Sequence, residues 1–136
     1  LNTGHYERAI EIFQQLIEKE GIRFPRALSW MAAAYAKKGD IEKARALLNE
    51  LKVLKSKTDK GSPAFFIAII YSALNQKEDA LEWLKIAINN HEMEVPWLVS
   101  EPQLYPLHGS PKFDALVKQV GFRSHAYPVA LQKNIH

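Results

Sequence analysis

YAKKGDIEKARALL, residues 35–48, and YSALNQKEDALEWL, residues 71–84, decide the fold between them. Each places a tyrosine, Tyr35 or Tyr71, four positions before Gly39 or Asn75, then Ala44 or Ala80 five positions on, then Leu48 or Leu84 four beyond that. Gly39 can take the left-handed conformation that ends a helix without a Cβ penalty. Asp40 can then accept hydrogen bonds from the unpaired N–H groups of the next helix. A helix end and a helix start two residues apart force the chain back on itself as an antiparallel pair. In the second stretch Asn75 replaces glycine, and asparagine also tolerates the left-handed region. Glu78 stands three residues after it, at the spacing of a capping box.

Working outward, Tyr6, Ala9, Ile10, Phe13, Leu16 and Ile17 form one helical stripe on a helix of about residues 6–19, with Gly21 as its stop. Pro25 suits a first helical turn, because its missing N–H would be unpaired there, and the helix it opens runs to Lys38. A third helix over about 41–54 buries Ala44, Leu47, Leu48 and Leu51. KSKTDKGS is a polar loop, Ser62 a cap and Pro63 the start of a helix to Leu74, and a fifth covers about 77–90. No period-two alternation and no Asn-Gly or Asp-Gly signal argues for strands. Ala9 to Ala44 spans 35 residues, and Ala44 to Ala80 and Tyr35 to Tyr71 each span 36. Fixed-period self-similarity of two-helix units is the mark of a helical solenoid.

The pattern resembles the tetratricopeptide repeat (TPR) family, whose period is about 34 residues. In residues 25–58 Leu28, Met31, Ala32, Tyr35, Gly39, Ala44, Leu48 and Leu51 stand at the signature positions. In residues 61–94 the equivalents are Ala64, Ile67, Ala68, Tyr71, Asn75, Ala80, Leu84 and Ala87. Gly4, Ala9, Phe13 and Leu16 match the second half of a third repeat whose first helix is missing. Missing too is the family's opening tryptophan, and Leu51 stands in place of alanine. The resemblance implies an all-α fold: a right-handed α-solenoid of antiparallel helix pairs, about 2.5 repeats plus a C-terminal capping helix. One helical domain would then comprise a half repeat (1–24), two repeats (25–60 and 61–94), a capping segment (95–122) and a tail (123–136). In the capping segment VPWLVSEP reads as a short helix between prolines. SPKFDALVKQVGF reads as a closing helix, capped by Ser110, that buries Phe113, Leu116, Val117 and Val120 and stops at Gly121 with Phe122 as its hydrophobic clasp. The stretch 101–122 resembles the terminal segment of bacterial TPR proteins whose N-terminal effector is a winged-helix domain or a nucleotide cyclase. The opening LNTGHYERA reads as cut from such a longer chain.

Composition points away from chemistry. The 136 residues are 47% hydrophobic and 24% charged, an ordinary globular balance. There is no cysteine, hence no disulfide framework, thiol nucleophile or cysteine-held zinc. The longest apolar run, residues 64–74, is about half of what crosses a bilayer, and with no targeting segment visible a cytoplasmic location is expected. Nucleophile elbow, P-loop and dinucleotide fingerprint are all missing. His5, His91, His108, His125 and His136 include no pair four residues apart. His91 with Glu92 and Glu94 comes nearest to a ligand cluster and reads as a surface histidine after a helix. No enzyme activity, cofactor, metal or small-molecule substrate is expected. Between Lys37 and Lys60 eight basic residues face four acids. Such a patch can bind nucleic acid, but without interleaved aromatics it reads as a solvated face and loop.

The resemblance implies that a partner protein or peptide binds on the concave face, lined by the first helix of each pair. Its exposed positions would be Arg26, Ser29, Ala33, Ala36 and Lys37 in one repeat and Ser62, Phe65, Ile69, Ser72 and Ala73 in the next. Ser29 and Ala33 stand where a chaperone-binding clamp would have Lys and Asn, which disfavours that ligand. A small apolar groove with a basic edge at Arg26 and Lys37 suits a hydrophobic or mildly acidic segment. These residues could equally face an upstream helix, a second copy in a homodimer, or the tail, whose AYPVAL stretch from Ala126 to Leu131 would dock in a groove. The competing expectation is a structural cap or oligomerisation element for an upstream effector domain.

Overall fold

The computed structural model describes residues 3–20 and 24–123. Six α-helices follow one another: α1 (Thr3–Glu20), α2 (Pro25–Lys38), α3 (Ile41–Lys57), α4 (Pro63–Ala73), α5 (Lys77–Asn89) and α6 (Pro111–Arg123). Two 3₁₀ turns, Val95–Trp97 and Pro102–Leu107, separate α5 from α6. The described residues contain no strand, and the architecture is an all-α, TPR-like solenoid.

Its turns are built as the sequence implies. Gly39 has φ 104°, its N–H donates to Ala36 O at 3.2 Å, and the Asp40 N–H donates to Tyr35 O at 2.8 Å. Asn75, at φ 61°, repeats this with Ser72 O, and the Gln76 N–H donates to Tyr71 O at 2.9 Å. In both, the left-handed residue satisfies carbonyls that a helix end leaves unpaired. A third copy ends α5: His91 has φ 54°, and the N–H groups of His91 and Glu92 donate to Ile88 and Ala87 carbonyls. His91 is therefore an exposed turn residue.

The expected side-chain caps are replaced by others. Asp40 makes no capping bond; with φ −83° and ψ 70° its backbone lies outside the extended region that aims a cap at the first turn, and its carboxylate lies 3.5 Å from Lys38 Nζ. Glu78 pairs with Lys112 at 2.8 Å, so no capping box forms. Ser62 sits at φ 58°, and its Oγ accepts from the Glu94 N–H instead. The start of α4 is capped by Glu92, whose carboxylate accepts from Ala64 N (3.1 Å) and Phe65 N (2.8 Å). Boundaries shift as well. Gly4 lies inside α1, α3 runs on through Lys57, and Gly121 lies within α6, none of which is read from the glycines alone. Gly21 and the tail, with the AYPVAL stretch, lie outside the described residues.

Small residues set the stacking distance. Ala32, Ala44, Ala68 and Ala80 are fully buried between neighbouring helices, where their small side chains permit close packing. Tyr35 and Tyr71 fill the gaps beside them, each with a lysine over its ring, Lys43 at 5.4 Å and Lys52 at 5.1 Å. From Pro63 to Ser72 every residue of α4 is buried. A helix apolar on all sides is stable only when enclosed, and α4 is enclosed by α2, α3, α5 and the second 3₁₀ turn. At the far end α6 lies on α5 and buries Phe113, Leu116, Val117 and Val120, which closes that end of the stack.

Candidate protein-interaction surface

Two surfaces stand out: the line along α2 and α4 that the sequence reading takes as concave, and the end of the stack at α1. The α2 and α4 line expected to be concave is overlaid by residues 92–107. At one end Glu94 Oε1 meets Arg26 Nη2 at 2.6 Å, and the Glu94 N–H donates to Ser62 Oγ at 3.0 Å. At the other end Gln103 O accepts from Ser72 Oγ at 2.9 Å, and Gln103 Oε1 lies 3.5 Å from Lys37 Nζ. The segment thus runs alongside both helices, spanning roughly 16 Å of α2 between Arg26 and Lys37 at the helical rise per residue. Its own Val95, Leu98, Leu104 and Leu107 are buried.

This corrects the expected exposure. Arg26 and Lys37 are exposed, but Ser29, Ala33, Ser62, Phe65, Ile69 and Ser72 are all buried. Ser29 Oγ donates to the Arg26 carbonyl within its own helix. The physical reason is that an apolar concave line is as favourable a burial site for a segment of the same chain as for a partner. The chain's own segment carries no cost of bringing two molecules together.

Glu92 at the root of that segment is buried. Burial pushes its carboxyl above the usual carboxylate range, against the opposing pull of the Phe65 and Ala64 amides. Burying a carboxylate is costly unless it is hydrogen-bonded, and these two bonds tie the segment to the start of α4.

At the α1 end, exposed apolar side chains are found among the described residues. A cleft of about 340 Å³ lies between α1 and the starts of α2 and α4, lined by Phe13, Leu16, Phe24, Trp30, Phe66 and Arg26, among others. The Arg26 guanidinium sits 5.9 Å from the Trp30 ring and 5.8 Å from the Phe66 ring, a cation held over two aromatic faces at the rim. Phe13 meets Trp30 edge to face at 5.9 Å. The Trp30 indole Nε1 is buried without a hydrogen-bond partner, whereas a buried indole N–H usually finds one. Leu16 is 43% exposed, Phe24 43% and Ile12 53%. A second cavity, of about 500 Å³ between α1 and α3, is lined by Gln14, Glu18, Lys43 and Glu50 beside Ile17, Met31 and Tyr35. Gln14 Nε2 donates there to Tyr35 Oη at 3.2 Å.

Of the cleft residues the concave-face reading singles out only Arg26. The signal for the others is present in the repeat: Ile12 and Leu16 stand 35 residues before Leu47 and Leu51, yet unlike those two they are exposed. The basic stretch is dispersed rather than massed. Lys38 pairs with Glu7 at 3.2 Å, Lys55 with Asp59 at 2.7 Å, Arg45 donates to Gln76, and Lys43 and Lys52 sit over tyrosines. Among the described residues no group of three or more His, Asp or Glu could hold a metal ion, and no helix is long and apolar enough to cross a membrane.

Residues 1–58 match a family model described as tetratricopeptide repeat. No curated protein and no solved structure gives a significant match. Repeats of this kind generally mediate contacts between proteins and are typically without enzyme activity. The match spans α1, α2 and α3 and makes this part of the chain similar to a tetratricopeptide repeat.

Proposed function

We propose that this chain is a non-enzymatic protein-interaction module that meets its partner at the open N-terminal cleft rather than on the concave face. The observation that carries the reading is the contrast in burial. The concave line is closed by residues 92–107, while Ile12, Leu16 and Phe24 present apolar surface beside the cleft. Covering one such side chain is worth about 1.5–3 kcal/mol when burial is complete. Arg26 is the one residue common to the concave line and the cleft, and its place over Trp30 and Phe66 sets the cationic rim. The resemblance of residues 101–122 to terminal segments of bacterial regulators supports placing the module in a larger signalling or transcription-regulatory protein.

Selection of phage-displayed peptides against the full chain tests the reading. Selected peptides are expected to lose binding to Leu16→Glu and to keep it with Lys37→Glu, which alters the far end of the concave line. Peptides lost only on Lys37→Glu would return the binding site to the concave face after displacement of residues 92–107. A second reading, a structural cap that binds nothing itself, is favoured by that same closed face. Failure to select any peptide would support it.

A further inference from the structure

Two equivalent places in the stack are filled differently. Over Tyr71 of α4, the helices α3 and α5 are joined through Lys52 and Trp83. The Lys52 ammonium lies 5.1 Å from the Tyr71 ring and 5.9 Å from the Trp83 ring, and the indole packs against the core. A cation set between two rings is attracted to both of their faces. Over Tyr35 of α2, the corresponding positions are held by Ile17, 35 residues before Lys52, and Leu47, 36 residues before Trp83. Neither supplies a ring or a charge. A cavity of about 500 Å³ lies there between α1 and α3, and every residue lining it belongs to α1, α2 or α3. It therefore sits between two repeats and not at an end of the stack.

We propose that this cavity binds a small aromatic amine, whose ring takes the place that the Trp83 indole holds over Tyr71 and whose ammonium faces Glu18 and Glu50. The volume falls in the range of small-molecule sites, about 300–1,000 Å³. So does the lining, a mainly apolar surface with a few polar groups that fix orientation: Ile17, Met31 and Leu47 are buried apolar side chains, and Tyr35 adds an aromatic face. Gln14, whose Nε2 donates to Tyr35 Oη at 3.2 Å, forms part of the polar wall. Charge selects the sign of the ligand. Two carboxylates, Glu18 and Glu50, stand against one ammonium, Lys43, which lies over the Tyr35 ring at 5.4 Å. A cleft lined by an excess of one sign of charge concentrates ligands of the other.

The probe is tryptamine titrated into the full chain, followed by calorimetry and by methyl shifts. Saturable binding is expected, with shifts at Ile17, Met31 and Leu47 and none at Leu16 or Trp30 of the cleft. Leu47→Trp, which places the ring of the next repeat in this one, is expected to weaken binding about tenfold or more. Ala46→Phe narrows the cavity from an exposed position and is expected to do the same, which keeps the proposal falsifiable if the buried substitution disturbs folding. Glu18→Gln is expected to weaken tryptamine about twofold to fivefold and to leave neutral indole unchanged, and indole-3-acetate is expected to bind more weakly than tryptamine. Absence of saturable binding overturns the proposal, as do shifts confined to the cleft or binding indifferent to both Leu47→Trp and Ala46→Phe. Equal affinity for tryptamine and indole-3-acetate overturns the charge selection, and equal affinity for 2-cyclohexylethylamine overturns the requirement for a ring that can stack. None of these outcomes bears on the cleft reading, which is tested at Leu16.

Discussion

α1 and α3 carry the same apolar skeleton 35 residues apart and meet opposite fates. Leu47 and Leu51 are 7% and 0% exposed, while Ile12 and Leu16 at the equivalent positions of α1 are 53% and 43% exposed. Neither difference is written in the helices themselves, which have similar apolar stripes. It is set by the neighbour: α3 lies on α2, and among the described residues no helix lies over Ile12 and Leu16. In a solenoid each unit buries its face only against the next one. The opposite end shows the complementary solution, with residues 92–107 and α6 covering what would otherwise be exposed.

The sharpest way to break this comparison is to place the same charge on both faces. Leu51→Glu is expected to unfold the chain or cost about 4 kcal/mol or more, because the carboxylate would be buried without a partner. Leu16→Glu is expected to stay within about 1 kcal/mol of the parent, since half-exposed sites tolerate charge; urea denaturation of both would settle it, and equal losses would sink the account. Truncating the covering segment comes next. Leu104→Ala should cost about 2–5 kcal/mol, the range for deleting a fully buried leucine, and should raise hydrogen exchange at Ser72 and Gln103. An unchanged midpoint would mean that the segment is not seated on the concave face.

Glu92→Ala should cost about 2–3 kcal/mol by leaving two buried amides unpaired, and Glu92→Gln should cost less because an acceptor oxygen remains. The pH dependence has a definite sign. The folded chain holds the Glu92 proton to higher pH than the unfolded chain, so its contribution is present below the usual carboxylate range and is lost as pH rises through the raised folded value. Compared with the parent, Glu92→Gln should therefore gain stability as pH rises above the usual carboxylate range; thermal unfolding across a pH series measures it, and a relative loss would contradict the assignment. A smaller effect is expected at Gly61, where φ is 80° and an added Cβ would come within 3.2 Å of Pro25 Cγ. Gly61→Ala should cost about 1–2 kcal/mol, visible as a lowered melting temperature. Smallest of all, Trp30→Phe should change stability by less than about 1 kcal/mol, because it removes an orphaned N–H along with ring area.

The helix pairs were legible because their determinants are local. Tyr35, Gly39 and Ala44 recur as Tyr71, Asn75 and Ala80, and each does in the fold what the spacing implies. The caps were less legible, since Glu92 reaches α4 from nearly thirty residues downstream and its role depends on the left-handed turn at His91. The line along α2 and α4 is read from the sequence as open, whereas Ser29, Ala33, Ser62, Phe65, Ile69 and Ser72 are buried. Periodicity reports which residues share a face and is silent on what lies over it, and the irregular stretch 92–107 has no period by which to place it. The open cleft was hidden for the converse reason: Ile12 and Leu16 look like core residues until the covering helix is sought.

The central claim is that partners meet the N-terminal cleft and not the concave face. It is tested most directly by mapping amide and methyl shifts of the full chain as a selected peptide is titrated in. The account predicts saturable shifts at Ile12, Leu16, Phe24 and Trp30, with Phe65, Ile69, Ser72 and Leu104 unmoved. Shifts centred on Phe65, Ile69 and Ser72, with loss of the Glu92 bonds to α4 as residues 92–107 are released, would contradict it.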